Sequence, residues 1–89
     1  MLNEINNLVC RVCGKIQNDP PWGEDSQCPT YDICDCCGTE FGYGDCTVKA
    51  IRASRERWLT NGTKWKYPKE KPINWSLEEQ MKNIPEKYK

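Results

Sequence analysis

The sequence predicts a small α+β fold, in which two cysteine turns on short β-hairpins precede one longer and one shorter α-helix. Three observations predict it. Two cysteine turns, each followed by glycine, lie at residues 10–14 and 34–38. The residues up to Asp45 combine turn-forming residues with short β-prone runs. Apolar residues at helical spacing begin only after Asp45.

The 89 residues are expected to form a single domain, 1–89. Within it we expect a cysteine-knuckle module at residues 8–46, a basic helical half at 47–84 packed on that module, and a frayed tail at 85–89. A chain of this length buries only about 60–65% of its unfolded surface, so an additional stabilising cross-link is expected.

The N-terminal half is predicted to form two hairpins joined by a loop. Residues 8–17 predict a strand, a tight turn and a return strand, in which Gly14 adopts a positive φ without steric cost. The polar, proline-rich residues 18–25 predict a loop, because proline lacks the backbone N–H that a central strand needs. Residues 31–44 predict the second cysteine turn and a short arm interrupted by glycines.

The longer helix is predicted to begin after Thr47, a good N-cap residue, and to run to about Thr60. Residues 61–62, Asn-Gly, supply its C-terminal stop. The residues that share one face at helical spacing are Val48, Ile51, Arg55, Trp58 and Leu59.

A basic connector and a short helix are predicted to follow. Residues 63–74 contain two prolines and four lysines and are expected to be extended. Residues 76–79, Ser-Leu-Glu-Glu, form a capping box that begins a short helix. This helix is expected to run through Met81 to about Ile84 and to end before Pro85.

The cysteine spacing predicts a metal site. A Cys-x-x-Cys-Gly turn brings two sulfurs to one side of a tight turn, where backbone N–H groups spread the thiolate charge. The chain contains no histidine, so a tetrahedral site must be closed by thiolates alone, as in structural zinc sites. We therefore expect one structural zinc ion. Its expected ligands are Cys10, Cys13, Cys34 and Cys37.

Three further cysteines lie outside this set. Cys36 is the alternative to Cys34 or Cys37 as a ligand, or else a redox-active thiol beside the site. Cys28 and Cys46 stand alone and are expected to be ordinary buried or partly exposed residues. Seven cysteines are an odd number, which disulfides within one chain cannot pair completely.

Charge is distributed unevenly although the net charge is zero. Residues 1–46 carry two basic and eight acidic side chains, a net charge of −6, and residues 47–89 carry eleven basic and five acidic side chains, a net charge of +6. We expect the halves to attract each other across an intramolecular contact. The alternative is that the basic half meets an acidic partner, nucleic acid included.

The expected location is the cytoplasm. The N-terminal residues 1–4, Met-Leu-Asn-Glu, show no basic segment, apolar run or cleavage site of a secretory signal. No apolar stretch approaches the roughly 18 residues of a membrane span, so no membrane association is expected.

Residues around the second cysteine turn resemble the bacterial cysteine-rich CPCC family. The similarity covers roughly residues 8–84, and its matching segments are 20–25, 31–43, 58–59 and 62–65. The family signature is Cys-Pro-Cys-Cys, and Asp35 stands in the place of the proline here. The resemblance implies a small bacterial protein with a zinc-ribbon-like cysteine core, and it implies no established activity.

The first cysteine turn has a second, local resemblance. Residues 10–16, followed by Asp19 and Pro20, are similar to the first knuckle of rubredoxins. Those proteins bind iron through four cysteines, so the resemblance makes iron the minor alternative to zinc.

Catalysis is not expected, because the usual general base, histidine, is missing and four thiolates leave no open metal position. The leading hypothesis is a non-catalytic zinc-binding protein that forms a protein-interaction module. One alternative is a nucleic-acid-binding zinc ribbon that uses the basic helix and the lysine- and tryptophan-containing connector. A further alternative is a rubredoxin-like iron electron carrier. The expected partner surface consists of Trp22, Arg52, Arg55, Lys64 and Lys66.

Overall fold

Two α-helices follow the two cysteine turns along the chain. The computed structural model describes residues 7–89, and helix α1 spans Val48–Thr60. A short helix, α2, spans Leu77–Met81, and single 3₁₀ turns lie at Pro68–Glu70 and Glu86–Tyr88. Residues 1–6, on which the expected cytoplasmic location rests, lie outside the described residues. Within residues 7–89, every helix is too short or too polar to cross a membrane.

The prediction of β-hairpins, and with it the α+β class, is wrong, because residues 7–89 contain no β-strand. Each cysteine turn closes instead with one isolated antiparallel bridge, Val9 with Ile16 and Ile33 with Glu40. Neither bridge extends into a ladder, because the chain is helical immediately before Val9 and turns at residues 41–43 immediately after Glu40. The fold therefore consists of helices and irregular backbone.

The two cysteine turns share one backbone structure, and we call them the first knuckle (residues 9–16) and the second knuckle (residues 33–40). In the first knuckle, the N–H of Cys10 donates to the carbonyl of Lys15, and the N–H of Gly14 donates to the carbonyl of Cys10, both at 2.9 Å. The second knuckle repeats these bonds at 2.9 and 3.0 Å, from Cys34 to Thr39 and from Gly38 to Cys34.

Glycine is required at the end of the first knuckle for two reasons. Gly14 has a φ of +87°, in the left-handed region that side chains disfavour. A Cβ atom there would also overlap the carbonyl group of Gln80 and lie 3.2 Å from Ile84 Cγ1. The segment around α2 therefore packs directly on the first knuckle.

Both predicted helices are present and begin at the predicted caps. The hydroxyl oxygens of Thr47 and Ser76 each accept a hydrogen bond from the backbone N–H three residues further along, at 3.0 and 3.2 Å. Helix α1 ends at Thr60 as predicted. Helix α2 ends at Met81, before the expected end near Ile84.

The core is built around the cysteine side chains. Helix α1 contributes Ile51 and Trp58, both buried. The ring of Trp75 meets those of Trp58 and Trp65 edge to face, with centroids 6.4 and 5.6 Å apart, a geometry that aromatic rings favour. The buried cluster consists of Cys10, Val12, Cys13, Cys34, Cys36, Phe41, Ile51, Trp58 and Trp65.

The C-terminal residues 85–89, for which the sequence predicts a frayed tail, contact α1. Glu86–Tyr88 form a 3₁₀ turn. Arg55 Nη2 donates to the carbonyl of Tyr88 at 2.6 Å, and Arg52 Nε donates to the carbonyl of Lys89 at 2.8 Å. These long-range bonds fix the end of the chain, and no local pattern in residues 85–89 indicates them.

The acidic and basic halves are joined by hydrogen bonds rather than by ion pairs. The ion pairs found between residues 7 and 89 are Lys82–Glu79 and Lys89–Glu86, which are both local and both within the basic half. Side chains of the basic half instead donate to backbone carbonyls of the first knuckle. Within the described residues, the expected attraction between the halves therefore does not take the form of ion pairs.

Candidate metal centre

Four cysteine side chains meet between the two knuckles. The Sγ atoms of Cys10, Cys13, Cys34 and Cys37 all lie within 4.8 Å of one another. Three of these residues are fully buried, and Cys37 is half-buried. The cluster could hold a metal ion, and each knuckle supplies two of its four sulfurs.

Two of the sulfur–sulfur separations fit a tetrahedral site. Zn–S bonds of about 2.3 Å place the sulfurs of a tetrahedron about 3.8 Å apart. The Sγ atoms of Cys10 and Cys37 are 3.6 Å apart, and those of Cys13 and Cys34 are 3.7 Å apart. Four sulfur donors suit soft ions such as zinc or iron rather than Mg²⁺ or Ca²⁺. Both close pairs cross from one knuckle to the other, so an ion at the centre would cross-link them.

Burial and hydrogen bonding act in opposite directions on the thiols. Burial raises the pKa of Cys10 and of Cys13 well above the ordinary value. Hydrogen bonds from Cys10, Cys13 and Cys37 lower the pKa of Cys34. Burial therefore opposes ionisation of Cys10 and Cys13, and a cation at the centre would offset the thiolate charge there.

Cys36 is fully buried but is not one of the four clustered sulfurs. Gln80 Nε2 in α2 donates to Cys36 Sγ at 3.4 Å and to the carbonyl of Cys13 at 3.1 Å. The Oε1 atom of the same amide accepts from Trp75 Nε1 at 2.8 Å. Sequence reasoning missed Gln80, because it meets Cys13 across 67 positions of the chain and no short motif marks it.

Arg55 ties α1 to the first knuckle. Its Nε atom donates to the carbonyl of Val12 at 2.8 Å, and its Nη2 atom donates to the carbonyl of Arg11 at 2.9 Å as well as to Tyr88. Burial lowers the pKa of this guanidinium. Sequence reasoning placed Arg55 on a partner surface, whereas the structure uses its donors inside the molecule.

Trp22, which also belongs to the expected partner surface, likewise makes contacts within the molecule. Its Nε1 atom donates at 2.9 Å to Oδ2 of Asp45, a fully buried carboxyl group that also accepts from the N–H of Gly42 at 2.7 Å. The guanidinium of Arg11 lies 4.3 Å from the centre of the Trp22 ring. Asp45 was not identified from the sequence, because its tryptophan partner is 23 positions away.

The other three residues of the expected partner surface are exposed and basic. Arg52 donates to the carbonyl of Lys89, whereas Lys64 and Lys66 form no ion pair with the rest of the described chain. The residues of the predicted surface thus fall into two groups. Trp22 and Arg55 make contacts within the molecule, and Arg52, Lys64 and Lys66 are exposed. Cys28 and Cys46 are exposed free thiols.

The fold and the cluster define a small cysteine-rich protein that could hold a metal ion. The chain belongs to the same family as the uncharacterized protein YoaQ of Bacillus subtilis strain 168, to which it is 34% identical over 90 residues, covering 85% of this chain and 70% of YoaQ. The uncharacterized protein YozI of the same strain is 32% identical over 80 residues, covering 73% of this chain and 64% of YozI. No family model and no solved structure matches the chain. The resemblances to the CPCC family and to rubredoxins stay predictions.

Proposed function

We propose that the protein is a small, non-catalytic zinc protein in which one structural Zn²⁺ ion stabilises a protein-interaction module. The proposed ligands are Cys10, Cys13, Cys34 and Cys37. The observation that carries the proposal is the clustering of four sulfurs from both knuckles within 4.8 Å of one another, two pairs of which lie 3.6 and 3.7 Å apart. A divalent ion would neutralise part of the buried thiolate charge and connect the knuckles.

The closed ligand set supports a structural rather than a catalytic role. Catalytic zinc sites keep a position for water or substrate, whereas structural sites use four protein ligands. Three of the four cysteines are inaccessible to solvent. The fold therefore favours an ion that holds the chain in shape.

The interaction role is supported by side chains that the core does not use. Lys64 and Lys66 are exposed, and the ring of Tyr43 is 79% exposed. None of these side chains belongs to the buried cluster. Exposed aromatic rings are typical of protein interfaces, and exposed cations can complement an acidic partner.

Metal analysis of the purified protein tests the proposed zinc ion and its ligands. We expect about one equivalent of zinc by mass spectrometry, in line with one tetrathiolate site. Cys34→Ser should lose the metal, because it removes a clustered sulfur. Cys36→Ser is the matched control and should keep it.

Two outcomes would contradict the proposal. Loss of metal from Cys36→Ser combined with retention by Cys34→Ser would show that Cys36 is the ligand. A red protein with one equivalent of iron would instead favour the rubredoxin-like electron carrier.

A further inference from the structure

A groove of about 800 Å³ lies between the second knuckle and the basic half of the chain. Its lining includes residues 37–40 and Tyr43 from the N-terminal half, and Arg57 and residues 64–66 from the basic half. Cys37, the half-buried member of the cysteine cluster, lies at this groove. The groove is thus built directly on the candidate metal centre.

Three basic side chains that line the groove form no ion pair within the described residues. Arg57, Lys64 and Lys66 are exposed, and none of them belongs to an ion pair within residues 7–89. Their backbone is nevertheless fixed. The N–H of Lys66 donates to the carbonyl of Cys36 at 2.9 Å, and Trp58 Nε1 donates to the carbonyl of Lys64 at 3.0 Å. The cations are therefore presented from an ordered edge and not from a frayed loop.

The N-terminal half contributes apolar and acidic side chains to the groove, in contrast to the cations of the basic half. Ile33 and Tyr43 are 43% and 79% exposed, and Glu40 is an exposed acid. A nucleic acid strand carries phosphate along its whole length and would bring that charge against Glu40 and the acidic N-terminal half. A peptide segment can present carboxylates to the three cations and apolar side chains to Ile33 and Tyr43.

We infer that this groove binds an acidic peptide segment of a partner protein. Its carboxylates meet Arg57, Lys64 and Lys66, and its apolar side chains cover Ile33 and Tyr43. The inference rests on the proposed interaction function and names the surface and the chemistry of the partner. It replaces the dispersed surface expected from the sequence with one continuous groove.

The experiment uses fluorescence anisotropy with a labelled peptide of alternating glutamate and leucine, at low salt, on the zinc-loaded protein. The double variant Lys64→Glu/Lys66→Glu reverses two cations of the groove. The matched control Lys49→Glu/Lys69→Glu makes the same change in net charge at exposed residues outside the groove. We expect the groove variant to bind about tenfold or more weakly and the control to lose less than about threefold, because adjacent charges outweigh screened distant ones.

A second readout does not depend on the variants. In ¹H–¹⁵N spectra of the wild type, the indole signal of Trp65, which lines the groove, should shift with added peptide, and that of Trp22 should not. Equal weakening of both double variants, shifts centred away from the groove, or absence of binding would overturn the inference. Tighter binding of an oligothymidylate probe than of the peptide would overturn it in favour of nucleic acid.

The result also separates this inference from the proposed function. If the zinc-loaded, folded protein does not bind the peptide, the inference of an acidic segment is refuted and the structural role of zinc is unaffected. A protein that folds and binds the peptide without metal refutes the structural role of zinc and leaves the groove intact.

Discussion

Cys13→Ser is expected to abolish metal binding and to unfold residues 8–46. Cys13 is fully buried, and its sulfur lies 3.7 Å from that of Cys34 in the opposite knuckle. A structural zinc ion contributes an apparent binding free energy of about 10–16 kcal/mol, whereas a whole domain is typically stable by only about 5–15 kcal/mol. The free energy lost with the ion should therefore exceed the stability that packing alone provides in so small a chain.

Circular dichroism and the dispersion of amide signals in ¹H–¹⁵N spectra measure this loss. Chelation of the metal from the wild-type protein should give the same spectra as Cys13→Ser. Cys46→Ser is the matched control, since Cys46 is exposed and serine can still donate to the carbonyl of Gly42. Native-like spectra for metal-free Cys13→Ser would contradict the account.

Arg55→Met should destabilise the zinc-loaded protein by about 4.5 kcal/mol or more, because it removes three hydrogen bonds from a charged donor and each contributes about 1.5–3 kcal/mol. Three backbone carbonyls lose their donor in this variant, those of Arg11, Val12 and Tyr88. The change separates α1 from both the first knuckle and the C-terminal turn. Methionine keeps much of the apolar stem, so the loss reports mainly on the hydrogen bonds.

Denaturant titration monitored by circular dichroism gives the free energy of unfolding. Arg57→Met is the control on the same helix, since Arg57 is exposed and the one hydrogen bond of its side chain within the described chain joins Nη2 to Ser54 Oγ at 3.2 Å. We expect it to cost less than about 0.5 kcal/mol. Similar losses in the two variants would show that Arg55 does not hold the knuckle.

Local chemistry explains the parts of the fold that could be predicted. Thr47 and Ser76 mark the helix starts because their side chains satisfy backbone donors within three residues. The two Cys-x-x-Cys-Gly turns likewise identified the four sulfurs that cluster in the structure, although their role as ligands stays a prediction.

The features that the sequence could not predict depend on tertiary contacts. The β-prone residues of each knuckle make one bridge and no ladder, because the chain turns or becomes helical beside it. Arg55 lies among the apolar residues of α1, and only the folded chain brings the carbonyls of the first knuckle to it. Gln80 and Asp45 likewise find their partners across long stretches of sequence. Such contacts leave no periodic or motif-like trace.

The most direct test of the central claim is zinc K-edge X-ray absorption on the purified protein. We expect the zinc ion to be bound by four sulfurs at about 2.3 Å, with no nitrogen or oxygen neighbours. Binding by oxygen or nitrogen, or by fewer than four sulfurs, would contradict a closed site built from Cys10, Cys13, Cys34 and Cys37.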